Sequence, residues 1–225
     1  MEIKVVQNIL KANDALAAAN RKQFRDKGVF VIDLMSSPGA GKTTLLEKTA
    51  ERLAGEIAFG VIEGDLATAA DAERIGAYQI PVLQINTGKG CHLDANQVQN
   101  ALQYFDLDSL DLLFIENVGN LVCPAEFDLG QHTKVLLLST PEGDDKPDKY
   151  PVMFRQCPTV IINKVDLTPY VPFNLDKVRA SIRRIQPEGR ILELSCQTGQ
   201  GLDAWIELVR QETKRFKAEL QASAS

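Results

Sequence analysis

Two short runs in this sequence have the residue types that bind a nucleoside triphosphate. Residues 36–43 read SSPGAGKT, and residues 163–166 read NKVD. A glycine-rich loop that ends in lysine and threonine can surround phosphate oxygens with backbone N–H groups and a cation. An aspartate carboxylate only accepts hydrogen bonds, so it can pair with the two donors on the edge of guanine. In this order, the two runs predict a protein that binds and hydrolyses GTP.

The first run lies where a phosphate-binding loop requires it, between a strand and a helix. Residues 29–35 are apolar and β-branched, which predicts a buried parallel strand, and helical apolar spacing follows the loop. Lys42 is expected to reach the β- and γ-phosphates, and Thr43 to coordinate Mg²⁺. Ser36 replaces the first glycine of the usual pattern, and a glycine-rich turn before a surface helix is the alternative interpretation. The predicted nucleotide-binding residues here are Ser37, Pro38, Gly39, Ala40, Gly41, Lys42, Thr43 and Thr44.

The second run follows another predicted buried strand, residues 159–163. Asp166 is expected to accept two hydrogen bonds from guanine, whereas adenine lacks the matching donors and would leave buried polar groups unpaired. A second loop, after the strand-like residues 190–194, offers backbone N–H groups to the guanine carbonyl. The alternative interpretation of residues 163–166 is a solvated junction between strand and loop with no role in base binding. The predicted base-site residues are Asn163, Lys164, Asp166, Ser195 and Cys196.

Strand-like and helix-like segments alternate along the chain, which predicts an α/β fold with a mostly parallel sheet and helices on both faces. The predicted strands are residues 29–35, 57–62, 82–86, 110–115, 134–139, 159–163 and 190–194. The predicted helices are residues 3–26, 43–54, 68–77, 93–104, 152–156, 174–186 and 201–219. We expect one domain over residues 1–225, with residues 1–26 as an N-terminal helix packed on it. Residues 140–151 are expected to form a mobile surface loop and residues 221–225 a frayed tail.

Composition narrows the class of protein. The chain has 225 residues, a net charge of −5 and 44% hydrophobic residues, so it can bury a sizeable core. Its acidic balance and the lack of a Lys/Arg block argue against nucleic-acid binding. Four scattered cysteines do not form a disulfide framework. Without a signal-peptide core or a long apolar run, we expect a cytoplasmic protein with no membrane partner.

A second group of residues, two cysteines and a histidine, has side chains that can bind a metal ion. Cys91 and His92 follow Gly90, and Cys123 follows the next predicted strand along the chain. Parallel strands end on the same side of the sheet, so these three side chains can converge on one ion such as Zn²⁺ or Ni²⁺. Cys91 is also expected near a helix N-terminus, which favours a thiolate. Three ligands are one fewer than a closed site needs, and a two-fold related chain can supply more. The alternative is that Cys123 is a buried small hydrophobe.

With this set of cysteine and histidine residues, the chain resembles the hydrogenase nickel-incorporation GTPases of the HypB family. The resemblance covers nearly the whole chain and is most specific in GKGCHLD at residues 88–94 and ENVGNLVCP at residues 116–124. It also includes SPGAGKTT at residues 37–44, EGD at residues 63–65 and EGDDKP at residues 142–147.

The resemblance implies a SIMIBI-type P-loop GTPase that needs Mg²⁺ and forms a homodimer when GTP is bound. It implies that Cys91, His92 and Cys123 bind Ni²⁺ or Zn²⁺ at the dimer interface. A zinc-containing partner of the HypA family and the large subunit of [NiFe]-hydrogenase are the implied partners. Some family members carry an N-terminal metal-binding tract, but this sequence has no Cys before Cys91 and no His before His92. We therefore expect the metal site inside the GTPase domain.

The resemblance also assigns two acids and a glycine to the nucleotide site. Glu116 is expected to contact the Mg²⁺ shell, Asp65 to hold Mg²⁺ or the attacking water, and Gly119 to contact nucleotide. With Lys42 and Thr43, the two acids complete the predicted catalytic set. No glutamine or arginine is identified as a water-orienting group or finger, which predicts slow turnover.

Three other functions are alternatives to a nickel-incorporation GTPase. A urease-type nickel-delivery GTPase normally carries Cys-Pro-His, whereas here Pro124 follows Cys123 without a histidine. A small-molecule kinase can use the same phosphate loop, but it seldom reads guanine through NKVD. A signalling GTPase without a metal role would differ in the metal content of the purified protein.

Overall fold

A computed structural model describes residues 4–65, 70–88 and 90–224. A seven-stranded sheet with the order β3-β2-β4-β1-β5-β6-β7 forms its centre, and every pair of neighbouring strands is parallel. The strands are β1 (Phe30–Ser36), β2 (Phe59–Asp65), β3 (Val82–Asn86), β4 (Leu112–Glu116), β5 (Thr133–Ser139), β6 (Thr159–Asn163) and β7 (Arg190–Glu193). All seven correspond to predicted strands, and the predicted α/β architecture is confirmed.

The helices cover both faces of the sheet. They are α1 (Lys4–Lys27), α2 (Lys42–Leu53), α3 (Ala70–Gly76), α4 (Ala95–Leu102), α5 (Lys146–Lys149), α6 (Pro151–Gln156), α7 (Leu175–Ile185) and α8 (Leu202–Ala224). Alternate residues of β1 divide the core, as strand geometry requires. Phe30 packs in the cluster that holds Trp205 of α8, and Val31 in the cluster that holds Phe24 of α1.

Two segments differ from the sequence-based expectation. Residues 140–151, expected as a mobile surface loop, contain a 3₁₀ turn and helix α5, with Thr140 and Pro147 buried. Residues 221–224, expected as a frayed tail, continue α8. The helix persists because Leu220 packs against the core in the turn before them and no glycine or proline interrupts the run. Ser225 lies outside the described residues.

Helix α4 begins later than predicted, at Ala95, and this leaves the Cys-His pair in a loop. Asp94 is the N-cap: its side chain accepts from the Gln97 N–H, while the Gln97 side chain accepts from the Asp94 N–H. This reciprocal capping box satisfies the first donors of the helix and ends the preceding loop. The Cys-His pair therefore lies between the end of β3 and a rigidly capped helix.

Candidate functional site: a nucleotide cleft beside a thiol–imidazole cluster

The phosphate loop and the base-reading loop are in direct contact. Gly41 has a φ of 104°, and a Cβ there would lie 2.5 Å from Nδ2 of Asn163. The same Nδ2 donates to the Ala40 carbonyl at 2.9 Å, and Nζ of Lys164 donates to the Gly39 carbonyl at 2.7 Å. Only glycine fits this position without strain or collision. Hydrogen bonds from the base-reading loop to the Gly39 and Ala40 carbonyls therefore fix the conformation of the phosphate loop.

Lys42 and Thr43 point into a cavity of about 360 Å³ at the carboxyl ends of the strands. Nζ of Lys42 donates to Oγ of Ser36 at 2.9 Å and lies 3.8 Å from Oε1 of Glu116. The serine that replaces the usual first glycine thus holds the lysine in the phosphate cavity. Described residues that line the cavity include Pro38, Gly39, Gly41, Lys42, Thr43, Thr44, Glu116 and Gly119. Ser37 is not among the cavity-lining residues, and Ala40 is buried.

The residues predicted to hold Mg²⁺ are partly brought together. Oγ1 of Thr43 donates to Oε1 of Glu116 at 3.0 Å, although β4 and α2 are far apart in sequence. A hydroxyl and a carboxylate are the oxygen ligands that Mg²⁺ prefers, so this pair fits the ion. Asp65 ends β2, three residues beyond the predicted end of that strand, and its side chain lies outside the described residues.

Asp166 lines a second pocket of about 290 Å³, which also contains Thr44 and Lys164. Oδ1 of Asp166 is buried and has no hydrogen-bond partner among the described residues, as expected of an acceptor whose donors come from a ligand. Ser195 does not line this pocket, and its N–H donates to the Gln200 carbonyl. Gln197 lies there beside Cys196 instead.

Two charged residues at the phosphate cavity were missed by the sequence analysis. Glu63 of β2 and Arg74 of α3 line the same cavity as Lys42. Arg74 lines this cavity, although no arginine was identified from the sequence as a finger. No motif marks it, because its position depends on how α3 folds back onto α2. The EGD run, which includes Glu63, was the one signal near these residues.

Cys91, His92 and Cys123 come together as predicted. One potential ligand atom from each lies within 4.8 Å of the others. Sγ of Cys91 is 3.5 Å from Nδ1 of His92. A tight turn precedes the pair, since the Gly90 N–H donates to the Thr87 carbonyl at 2.8 Å. This turn lets two adjacent residues face the same point, which an extended strand would prevent.

Lys134 supports the segment that carries Cys123. Residues Cys123–Ala125 form a 3₁₀ turn, and the buried Nζ of Lys134 donates to three carbonyls just beyond Cys123, at 2.9–3.3 Å. These carbonyls belong to Pro124, Ala125 and Phe127. The Phe127 ring lies 3.9 Å, centroid to centroid, from the His92 ring. One lysine of β5 thus fixes both the cysteine turn and the aromatic neighbour of the histidine.

The ionisation of the cluster suits metal binding with proton release. The neighbouring Cys123 thiol, together with burial, raises the pKa of the Cys91 thiol. The expectation of a thiolate favoured by a helix N-terminus is therefore wrong, because α4 begins four residues later and Asp94 occupies its cap. Burial lowers the pKa of His92, against the opposing charge of Asp94, so the imidazole is neutral and able to ligate. Metal binding to this cluster must release thiol protons.

Two asparagines of helix α1 form hydrogen bonds with both segments that carry the metal cluster, the start of α4 and the chain beyond Cys123. Oδ1 of Asn13 accepts from the Ala95 N–H, and its Nδ2 donates to the Asp128 carbonyl. Nδ2 of the buried Asn20 donates to the carbonyls of Ala95 and Leu129. Each asparagine therefore joins the start of α4 to the chain beyond Cys123.

A buried acid connects the same region to the central strand. Asp33 of β1 accepts at Oδ1 from Nδ2 of Asn117 at 3.2 Å, and Oδ1 of Asn117 accepts from the Leu93 N–H at 3.1 Å. Burial raises the pKa of Asp33 from 3.8 to about 6, against the opposing charge of Lys134. The folded protein therefore holds a proton on Asp33 that the unfolded chain releases in mildly acidic solution.

This raised pKa predicts a pH-dependent stability. Stability from protonated Asp33 is complete below the unfolded pKa and is lost as pH rises through the folded value. We expect Asp33→Asn, whose amide oxygen can still accept from Asn117, to remove this loss. In urea unfolding, the free energy of unfolding of the variant should rise relative to that of the parent by on the order of 2 kcal/mol between pH 4 and 6. Parallel pH profiles for the two proteins would contradict the assignment.

Comparisons with known proteins agree with this geometry. The family model for the nucleotide-binding domain of CobW/HypB/UreG matches residues 30–193. Hydrogenase maturation factor HypB of Azotobacter chroococcum mcd 1 is 48% identical over 223 residues, which are 98% of this chain and 72% of that protein. The crystal structure of HypB from Helicobacter pylori in complex with nickel has a TM-score of 0.87 at 38% identity, covering 91% of this chain and 96% of that one.

A more distant likeness bears on the fold alone. The crystal structure of the signal recognition particle receptor FtsY from Elizabethkingia anophelis in complex with GDP has a TM-score of 0.51 at 16% identity. It covers 74% of this chain and 57% of that one.

The parallel sheet, the phosphate loop at its carboxyl edge and these likenesses define a P-loop NTPase of the SIMIBI class with a nucleotide-binding domain. That confirms the predicted fold class. The chain belongs to the HypB family of hydrogenase maturation factors, within the CobW/HypB/UreG group, and the resemblance noted in the sequence is confirmed. None of the helices in the described part of the chain is both long and apolar enough to cross a membrane.

Proposed function

We propose that this protein is a GTP-hydrolysing nickel metallochaperone that assists nickel insertion into [NiFe]-hydrogenase. One observation carries the proposal: the Cys91–His92–Cys123 cluster is hydrogen-bonded to the segment that lines the phosphate cavity. Asn117 and Gly119 line that cavity. Asn117 also accepts from the Leu93 N–H, directly after the cysteine–histidine pair. A nucleotide site and a transition-metal site joined in this way suit a protein that binds and releases metal under nucleotide control.

The nucleotide cleft supports hydrolysis of GTP rather than ATP. Asp166 offers a buried acceptor to the guanine edge, and Lys42 offers a cation to the β- and γ-phosphates. Thr43 and Glu116 would hold Mg²⁺, with Asp65 as the third predicted ligand. When bound, Mg²⁺ neutralises charge that develops on the phosphate oxygens. We expect slow turnover, because no glutamine is identified to orient the attacking water.

The cargo site supports a borderline or soft metal. Two thiols and an imidazole suit Ni²⁺ or Zn²⁺. Three ligands leave coordination positions open, so a second copy of the chain can complete the site across a two-fold axis. We propose a homodimer, promoted by GTP, with this site at its interface. A zinc protein of the HypA type and the hydrogenase large subunit are the proposed partners, in a cytoplasmic setting without nucleic acid or membrane.

Coupling between the two sites follows from the segment after β4. Glu116 and Asn117 contact the phosphate cavity, and Asn120 lies at the other end, where its Nδ2 donates to the Cys91 carbonyl at 3.2 Å. Loops that contact γ-phosphate and Mg²⁺ are ordered by those contacts. An ordering movement here would shift Cys123, only a few residues further along the chain. Nucleotide and metal must then alter each other's affinity by the same factor.

The proposal is tested by titrating Ni²⁺ into the GDP-bound protein and into the protein bound to a non-hydrolysable GTP analogue. We expect nickel dissociation constants that differ by about 5–150-fold between the two states. Oligomeric state, measured in the same samples, should shift towards the dimer with the GTP analogue.

Asn120→Ala serves as a variant that weakens the link and leaves the nucleotide contacts intact. It should shrink the ratio of nickel affinities while GTP hydrolysis continues at the parent rate. If nickel binds the parent equally well in both nucleotide states, the sites are independent and nucleotide-controlled delivery is wrong.

A further inference from the structure

Arg74 lines the phosphate cavity, although no motif includes it. It lies on α3, and its Nη2 is 3.3 Å from Oγ1 of Thr44, the residue after the predicted Mg²⁺ ligand. The same cavity is lined by Lys42, Thr43 and Glu116, the predicted contacts of the β- and γ-phosphates and of Mg²⁺.

The other described cations of the cavity are already held close to the loop. Lys42 is 8% exposed and bonded to Ser36, and the ammonium of Lys164 is bonded to the Gly39 carbonyl. The Arg74 side chain is bonded as well, to Glu47 and Thr44, but 45% of it is exposed to solvent. It can therefore move without disturbing the core.

The present contact of Arg74 with Glu47 is one that a nucleotide can replace. Nε and Nη2 of Arg74 donate to the two carboxylate oxygens of Glu47 at 3.0 and 2.7 Å. Glu47 is 17% exposed, but the 45% exposure of the Arg74 side chain lets solvent screen this bidentate ion pair. A triphosphate carries several negative charges, and the planar guanidinium can donate two parallel hydrogen bonds to phosphate oxygens. Binding of GTP beside Thr44 thus offers Arg74 a stronger partner than Glu47.

We propose that Arg74 is a catalytic arginine supplied by the same chain, which turns from Glu47 to the phosphates of bound GTP. This inference rests on the proposed GTPase function. In the reaction, a water oxygen bonds to the γ-phosphorus while the bond from that phosphorus to the β–γ bridging oxygen breaks. The electron pair of the broken bond stays on the β-phosphate of GDP, and the water proton leaves with inorganic phosphate or to solvent. Arg74 stabilises the charge that accumulates on the phosphate oxygens during this step.

A purely structural role makes a different prediction. If Arg74 serves only to tie α3 to α2, Arg74→Ala displaces α3 and weakens GDP binding together with kcat. If Arg74 serves the phosphates, Glu47 is one of the groups that compete with them, and Glu47→Gln removes that competitor without lowering kcat. The two variants therefore separate the two roles.

The experiment compares the steady-state release of phosphate from GTP by the full chain with these two variants. Arg74→Ala should lower kcat by at least about tenfold, as expected for loss of a transition-state contact, while the dissociation constant for GDP changes less than about threefold. Arg74→Lys should recover part of kcat. Glu47→Gln should keep kcat at the parent value or raise it. Arg52→Ala, an exposed arginine on α2 paired with Asp203, is the matched control and should match the parent.

Two results would overturn the assignment. Parent-like kcat in Arg74→Ala excludes a catalytic contact, and an equal loss of kcat in Arg74→Ala and Glu47→Gln assigns Arg74 to the α2–α3 contact. Lys42→Ala separates this inference from the proposed function. If the parent does not hydrolyse GTP, or Lys42→Ala hydrolyses it normally, the GTPase proposal itself fails. If Lys42→Ala is inactive and Arg74→Ala is parent-like, only the role of Arg74 fails.

Discussion

Lys42→Ala is expected to reduce GTP hydrolysis below detection. Nζ of Lys42 lies in the phosphate cavity, bonded to Ser36 and 3.8 Å from Glu116. Alanine removes the cation that is expected to contact the β- and γ-phosphates. Loss of a single neutral donor to a transition state already costs about 10²–10³-fold in rate, and a charged donor contributes more. Phosphate release at saturating GTP measures the effect.

A matched control lies on the same helix. Lys48 is half-buried, pairs with Glu51 and lines neither nucleotide pocket, so Lys48→Ala changes the charge of α2 without removing a group from the cavity. It should hydrolyse GTP at the parent rate. Hydrolysis by Lys42→Ala at the rate of this control would show that residues 36–43 do not bind the reacting phosphates.

The second large effect is expected at the metal cluster. The double variant Cys91→Ala, Cys123→Ala removes two of the three ligand atoms that lie within 4.8 Å of one another. Even changes in residues that only support metal ligands typically cost about 10–100-fold in affinity, and removal of ligands should exceed that. We expect the loss of stoichiometric Ni²⁺ and Zn²⁺ binding in equilibrium dialysis followed by metal analysis.

Binding of GTP should survive in this variant, because neither cysteine lines the nucleotide cavity. Cys157→Ala is the matched control. Cys157 is fully buried in the cluster with Met153 and Phe154, away from the metal ligands. It should bind metal like the parent. Metal retained at parent stoichiometry by the double variant would exclude Cys91 and Cys123 as ligands.

The sequence by itself determined the parts of this protein that depend on local chemistry. Every strand was predicted, because runs such as residues 159–163 are apolar and β-branched over the length of a buried strand. The phosphate loop was predicted because its glycines, lysine and threonine act at fixed spacing. The convergence of Cys91 with Cys123 followed from one topological rule, that parallel strands end on the same side.

The tertiary structure decided the contacts between segments that are distant in sequence. Arg74 reaches the cleft only because α3 folds back onto Glu47 of α2. Ser195, a predicted base-site residue, does not line the guanine pocket, and its N–H donates to the Gln200 carbonyl within its own loop. The link from Asp33 through Asn117 to Leu93 joins three segments, and no local pattern in the sequence specifies such partners. Residue types and their spacing indicate which chemical groups the protein can use. The packing of the chain decides which of these groups lie close enough to form one site.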